Sequence, residues 1–512
     1  MKKTILALII AALAGFAVLL MYSPPDLKTS LGLKKTKRPN ALSDKKLAAE
    51  ELKCEGCNLI IISLTNTRKD HIGIYGYARP TTPNIDEFFK NSLVFENAFA
   101  PASWTLPVSA SLYTSLFPYS HGVMDRYDGS KLPDEVFTFT EALKENGYST
   151  AGITGGGDYN RSFNINQGFD YYVDETNYAD FNIDVEGPEA KKAAYLGIER
   201  LVPIAEKWLK ENKDKKFFLL LQGYDTHCPF KPKAPFDKKF DPDYENSKID
   251  YSNCLWTFEQ TEPLHNEKGE RYWPVKTWFT KEGIKEFRLK DRDVLHMIAL
   301  YDGEIAQADA ELKNFLKNIK DTGIEQNTII IFMSEHGDLF GEHGRFMRGG
   351  PLRGTFYDPV LNFPFIIKHP AIQEPIRITS LAQTVDILPT FAEMLGIKHA
   401  EKSAWQGKSL VPAITGEKEV NEYVYAASKY KAKNNIFFSG LSIVESIRDK
   451  DWKLIKEEIF DADTNERKSL GFELYRVSDD PKEEKNLYSP ENETAKDLEN
   501  KLKEGLKRFK KQ

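Results

Sequence analysis

Three short polar clusters in the sequence each follow an apolar run. Asn58-Leu-Ile-Ile-Ile-Ser63 leads to Thr65-Asn66-Thr67-Arg68. Lys216-Phe-Phe-Leu-Leu-Leu-Gln222 leads through Gly-Tyr to Asp225-Thr-His227. Asn327-Thr-Ile-Ile-Ile-Phe-Met333 leads to Ser334-Glu335-His336-Gly337. Carboxylates, carboxamides and imidazoles are groups that hold hard divalent cations and transfer protons. Each run reads as a buried strand, and open α/β sheets bind ligands just beyond the carboxyl ends of their strands. The three clusters are therefore expected to meet at one edge of one sheet and form an active site.

The rest of the chain must position them. Helical patterns separate the strands, for example Val294 to Ile319, so the fold class is α/β with a large, largely parallel or mixed sheet and helices on both faces. From about residue 375 the texture changes. Tyr423-Val-Tyr-Ala426, Ser442 to Arg448, Trp452-Lys-Leu-Ile455 and Phe472-Glu-Leu-Tyr475 read as half-exposed strands, and Ala495 to Lys510 as a charged amphipathic helix. This predicts a small C-terminal antiparallel sheet with a terminal helix. The length, 512 residues, suits one large domain with a smaller one, because single cores stop growing at roughly 250–300 residues. The expected division is 1–22, 23–53, 54–374 and 375–512. With 41% hydrophobic residues a large core is available, and the net charge of −6, with basic and acidic residues intermixed, gives no nucleic-acid footprint.

Lys2 and Lys3 precede an uncharged apolar run from Ile5 to Tyr22, which reads as a signal peptide or an uncleaved signal anchor. Residues 23–53, with the basic run Lys34-Lys35-Thr36-Lys37-Arg38, read as a solvated linker. The domain is then expected in the cell envelope, membrane-anchored or, if the signal is cleaved, secreted. Four cysteines, Cys54, Cys57, Cys228 and Cys254, permit two disulfides in an exported chain.

From Asn58 to Val123 the sequence resembles the opening of bacterial sulfatases, a branch of the alkaline-phosphatase-like hydrolases. The resemblance rests on Arg68-Lys-Asp-His-Ile-Gly-Ile-Tyr-Gly-Tyr-Ala-Arg-Pro-Thr-Thr-Pro-Asn-Ile-Asp86, Phe95-Glu-Asn-Ala-Phe-Ala-Pro101 and Trp104-Thr-Leu-Pro107. Later blocks continue it: Asp225-Thr-His-Cys-Pro-Phe230, Leu300-Tyr-Asp-Gly-Glu-Ile305, Ser334 to Gly344, Arg448-Asp-Lys-Asp-Trp-Lys453 and Glu473 to Leu487. It implies the alkaline-phosphatase-like fold and a divalent cation, calcium or magnesium first and manganese or zinc next, beside a nucleophile. Such a cation polarises the ester and stabilises charge in the transition state.

The departures from the family pattern fall in the site. Where the family's first strand ends in a metal-binding aspartate, this chain has Thr65 and Asn66, which carry no charge. Glu335 and His336 match the second metal segment. With few charged ligands, the cation is expected to be weakly bound or absent. The position of the formylglycine precursor is Thr105, whose β-carbon already bears a methyl group and cannot become an aldehyde. The arginine expected two residues after Pro107 is Ser109. A plain threonine hydroxyl can still attack when its pKa is lowered, which tilts the chemistry from sulfate towards phosphate. His227 matches the general acid near the leaving group. Arg353 is placed as the anion-binding residue, with Arg348 competing. Residues 225–290, with Trp256, Trp273 and Trp278 and with Cys254 as a candidate disulfide partner of Cys228, read as a lid. Its aromatic rings either stack on substrate or form a satellite core.

The expected function is therefore hydrolysis or transfer of a sulfuric or phosphoric ester, on a small-molecule, glycan or lipid-headgroup substrate. The competing expectation is a catalytically degenerate member of the same fold acting as an envelope scaffold.

Overall fold

In the computed structural model the described residues are 47–124, 129–181, 195–245, 249, 254–256, 263–277, 285–348, 355–398, 404–432 and 440–510. Their centre is an eight-stranded mixed sheet. The strands are β1 (Asn58–Leu64), β2 (Leu93–Phe99), β3 (Ser149–Thr154), β4 (Tyr171–Val173), β5 (Phe217–Gly223), β10 (Thr328–Met333), β11 (Phe365–Lys368) and β12 (Ile376–Gln383). Their order is β12-β2-β11-β10-β1-β5-β3-β4. From β10 to β4 the neighbours are parallel, while β11 runs antiparallel to both β10 and β2.

The unbroken apolar runs follow from burial on both faces. Leu59, Ile61, Phe218 and Leu220 enter one core, and Ile60, Ile62, Leu219 and Leu221 the other. The first core is closed by helices α1 (Thr105–Thr114) and α4 (Ile387–Leu395), the second by α2 (Ile198–Asn212) and α3 (Asp291–Asp321). The packed chain begins before Cys54, since Ala49–Leu52 forms a 3-10 turn with Leu52 buried, and Leu47 is buried too. Residues 1–46, which hold the signal segment and most of the linker, lie outside the described residues. Among the described residues no helix is long and apolar enough to cross a membrane.

The small strands β6 (Leu255–Trp256), β7 (Leu264–His265), β8 (Arg271–Thr277) and β9 (Glu286–Leu289) occupy the segment read as a lid. Cys228 and Cys254 form a disulfide there, and Cys54 and Cys57 a second. Trp273 is buried against Phe346 in a separate cluster with Phe230, Leu255 and Tyr301, so its ring belongs to a satellite core. Trp278 lies outside the described residues.

The predicted C-terminal sheet is present as β13 (Val424–Ala432), β14 (Gly440–Arg448), β15 (Lys453–Phe460) and β16 (Arg467–Tyr475), all antiparallel. One face packs Val444 and Ile455 into the first core. The other packs Ile447, Leu454 and Leu474 under helix α5 (Glu493–Phe509), whose Leu498, Leu502 and Leu506 are buried. The sequence boundary at 375 falls just before β12, which completes the edge of the large sheet.

A buried charge cluster ties the C-terminal sheet to the large sheet through the helical turn Asp358–Leu361 that precedes β11. Lys453, 1% exposed, lies 3.0 Å from Asp358 and 2.6 Å from Glu483, and Arg448 reaches Asp358 at 2.7 Å. Removing one partner of a buried ion pair strands the others and typically costs about 3–5 kcal/mol. Lys453→Ala is therefore expected to lower the thermal midpoint by several degrees. A midpoint unchanged within a degree in calorimetry would show that the cluster does not hold the sheets together.

Candidate active site

The site grows from the register of β1 on β10. Ser63 lies opposite Met333, so the residues that follow, Thr65-Asn66 and Glu335-His336, leave the sheet side by side. Asn66 takes the left-handed conformation at φ 63°, which asparagine tolerates better than most residues. The turn is held from three sides. Thr67 N donates to Ser334 Oγ at 3.0 Å, Tyr301 OH donates to Asn66 O at 2.8 Å, and Tyr301 OH accepts from Arg68 N at 2.7 Å. Thr226, after β5, donates to Thr65 O. Gly337 is required here, because a Cβ would run into Pro359 O.

Thr105 is the first residue of α1 and lies 3.2 Å from His336 through Oγ1 and Nε2. His336 Nδ1 faces Gly337 O at 2.9 Å. A carbonyl oxygen only accepts, so Nδ1 carries the proton and the Nε2 lone pair faces the Thr105 hydroxyl. Burial, followed by the charge of Arg348, pushes the His336 imidazole down to about 3, which keeps it neutral. Ser109, on the same helix, donates to Leu106 O at 2.9 Å, a bond within the helix.

Glu335 is fully buried. Its Oε1 accepts from Tyr159 OH at 2.7 Å and from Thr65 Oγ1 at 3.2 Å, and Gln222 in turn donates to Thr65 Oγ1. Burial raises its pKa despite these donors. Asn66 Nδ2 donates to Asp338 Oδ2 at 3.2 Å. Burial lifts Asp338 to about 6, against the pull of Arg348 and Arg68.

His227 is half-buried and Arg348 is 7% exposed. Arg348 NH2 lies 2.9 Å from His227 Nε2, and His227 Nδ1 lies 2.6 Å from Cys228 O. His227 is thus also an Nδ1–H tautomer, with Nε2 accepting from arginine. Arg348 NH1 stands 3.9 Å from Asp338 Oδ2. Arg68 is bound on all sides by Asp70, Glu342 and Asp338 O, which leaves Arg348 as the arginine among the predicted site residues. Arg353 lies outside the described residues.

The structure therefore joins Thr105 to His336, Glu335 to Thr65, and His227 to Arg348. Sequence reasoning missed Tyr159 and Asp338. Asp338 was visible two residues after His336. Tyr159 follows Gly155-Gly-Gly157 after β3, and nothing in its type marked it as a partner for Glu335.

The divalent cation implied by the resemblance can be tested against these residues. Asn66 Oδ1, Glu335 Oε2 and Asp338 Oδ1 are buried oxygens without a hydrogen-bond donor among the described residues, the kind of acceptor a hard cation satisfies. The donor set fits in kind. Among the described residues, however, the one group of three His, Cys, Asp or Glu ligand atoms within 4.8 Å is His227, Cys228 and Cys254, whose thiols are spent in the disulfide. Glu335, His336 and Asp338 do not reach that spacing together, and His336 Nε2 faces Thr105, so a cation here would draw on the remaining oxygens of Asn66, Glu335 and Asp338.

Comparison with known proteins shows the family and the fold. The family described as Sulfatase matches residues 57–397, and the one described as N-sulphoglucosamine sulphohydrolase, C-terminal, matches 341–512. The Delta 4,5-hexuronate-2-O-sulfatase of Bacteroides thetaiotaomicron is 24% identical over 84% of this chain and 84% of its own. The N-acetylglucosamine-6-O-sulfatase of the same organism is 23% identical, over 88% and 87%. A structure solved with its substrate D-glucosamine-2-N,6-O-disulfate superposes with a TM-score of 0.66 at 20% identity, covering 89% of this chain and 98% of the other. The phosphonate monoester hydrolase of Agrobacterium radiobacter superposes with a TM-score of 0.62 at 20% identity, covering 88% and 95%.

The Tyr159–Glu335 bond yields a prediction. Tyr159→Phe removes a buried donor to a carboxylate, a change that costs about 1–3 kcal/mol. It is expected to lower the urea midpoint without altering the far-ultraviolet circular dichroism. An unchanged midpoint would show that the bond does not hold Glu335.

Proposed function

The chain belongs to the sulfatase family, and from that premise we propose that it hydrolyses a phosphoric or sulfuric ester of a glycan with Thr105 as nucleophile. The observation that carries the reading is the Thr105 Oγ1–His336 Nε2 contact at 3.2 Å, with the His336 tautomer fixed by Gly337 O. Among the described residues no other group takes that lone pair, so the hydroxyl proton can pass to Nε2 as the oxygen attacks.

The ester approaches from the side of His227, the half-buried member of the group. Its anionic oxygens draw Arg348, whose planar fork suits a tetrahedral anion, away from His227. His227 Nε2 then loses its donor and is released to take a proton and pass it to the leaving oxygen. Thr105 Oγ1 forms the bond to phosphorus or sulfur, the bond to the leaving oxygen breaks, and water later cleaves the threonyl ester. A threonyl sulfate lacks the elimination route open to a formylglycine adduct, which favours phosphate over sulfate. Asn66, with Glu335 and Asp338, would hold a divalent cation, which would supply charge stabilisation for the attacking and ester oxygens when bound.

The relatives named above act on hexuronate and N-acetylglucosamine sulfates, which supports a glycan ester. Two disulfides support an oxidising compartment, in keeping with export by the segment from Lys2 to Tyr22, which we propose anchors the domain to the membrane.

The test is turnover of aryl phosphates, phosphate diesters, phosphonates and aryl sulfates across calcium, magnesium, manganese and zinc. Thr105→Ala is expected to lose on the order of a thousandfold or more in kcat, while Thr105→Ser keeps measurable activity. Activity of Thr105→Ala within a few-fold of wild type would remove Thr105 as the nucleophile. Absence of turnover on every ester and metal would favour the degenerate scaffold.

A further inference from the structure

A cavity of about 230 Å³ lies against the C-terminal sheet. Arg345, Thr355, Tyr357, Glu457, Phe472 and Glu473 line it. At roughly 30 Å³ per water it exceeds a solvation site, yet it is below the approximately 300 Å³ at which drug-sized pockets begin. Its size suits one small ring.

The lining is built for hydroxyl groups. Tyr357 OH and Tyr475 OH both donate to Glu473 Oε2, at 2.9 and 2.8 Å. Among the described residues nothing donates to Glu473 Oε1. Thr355 is 1% exposed, and among the described residues its buried Oγ1 has no hydrogen-bond partner. An unpaired buried hydroxyl is costly, and a ligand hydroxyl in the cavity would satisfy it. Arg345 adds donors from a side chain 6% exposed. Its backbone is fixed by Arg345 N to Glu342 O and Gly341 N to Arg345 O. Phe472, stacked on Tyr488, adds an apolar wall. One cation facing two carboxylates does not favour a further anion. Carboxylate acceptors, arginine and hydroxyl donors and an apolar wall suit the edge of a neutral sugar ring.

The cavity also adjoins the ester site along the chain. Arg345 precedes Arg348 by three residues, at most about 11 Å of extended backbone. Tyr357 leads into the turn whose Val360 O accepts from Gly337 N, beside His336, at 2.7 Å. We propose that this cavity binds a neutral saccharide unit joined to the esterified unit of the substrate, a reading that rests on the glycan-ester function proposed above.

The test uses the intact domain with two kinds of probe. N,N′-diacetylchitobiose, cellobiose and lactose probe the cavity, and inorganic phosphate probes the ester site, all by calorimetry. At least one disaccharide is expected to bind wild type, and to bind Thr355→Val and Glu473→Gln at least tenfold more weakly. Phosphate affinity should stay within twofold in both variants. Thr355→Val is isosteric and breaks no bond within the protein, so it separates ligand binding from folding. If no disaccharide binds wild type, or if both variants bind as wild type does, the cavity is not a saccharide site. If phosphate fails to bind wild type while disaccharide binding depends on Thr355, the ester-site reading falls and the cavity assignment stands.

Discussion

The parallel pairing of β1 with β10 is the constraint on which the site depends. It sets Thr65-Asn66 beside Glu335-His336 at the point where both strands leave the sheet. At that point a fully buried carboxylate, a neutral imidazole and a carboxamide must each find partners within the protein. Unpaired polar groups in such a place are expensive, and the surrounding bonds answer that demand one by one. Tyr159 and Thr65 supply Glu335, Gly337 O orients His336, and Tyr301 and Ser334 pin the turn between them. Among the described residues, buried atoms still without a hydrogen-bond partner there include oxygens of Asn66, Glu335 and Asp338.

The departures from the family pattern take on a physical shape in this setting. Losing charge at Thr65 and Asn66 does not empty the site of carboxylates. Asp338, carried on the β10 side, lies against the Asn66 amide, so a carboxylate still stands beside the uncharged end of β1. Thr105 keeps a hydroxyl where an aldehyde hydrate is expected, and His336 receives its hydrogen bond. Arg348 stands between His227 and Asp338, so an incoming anion competes with groups already holding the arginine.

Much of the fold was legible because burial on both faces of a sheet leaves an unambiguous record. The runs Leu59–Ile62, Phe217–Leu221 and Ile329–Met333 are apolar at every position since alternate residues enter opposite cores. The polar residues after them were readable for the same reason. Helix α5 and strands β13 to β16 were legible from their half-exposed patterns, with helix ends displaced by a residue or two. Partnerships across hundreds of residues left no such record. Tyr159 with Glu335, Asn66 with Asp338 and Arg348 with His227 are set by tertiary packing, not by local pattern. The tryptophans of residues 225–290 could be read two ways from sequence, and for Trp273 the satellite core explains the burial.

The central claim is that the Thr105 oxygen forms the bond to the transferred group. Rapid acid quench of the enzyme during turnover, followed by peptide mass analysis, tests it most directly. The account predicts that the peptide spanning Thr105 carries one added phosphoryl or sulfuryl group at that residue, absent before substrate is added. Turnover with Thr105 unmodified at every quench time, and the group found instead on another side chain, would contradict it.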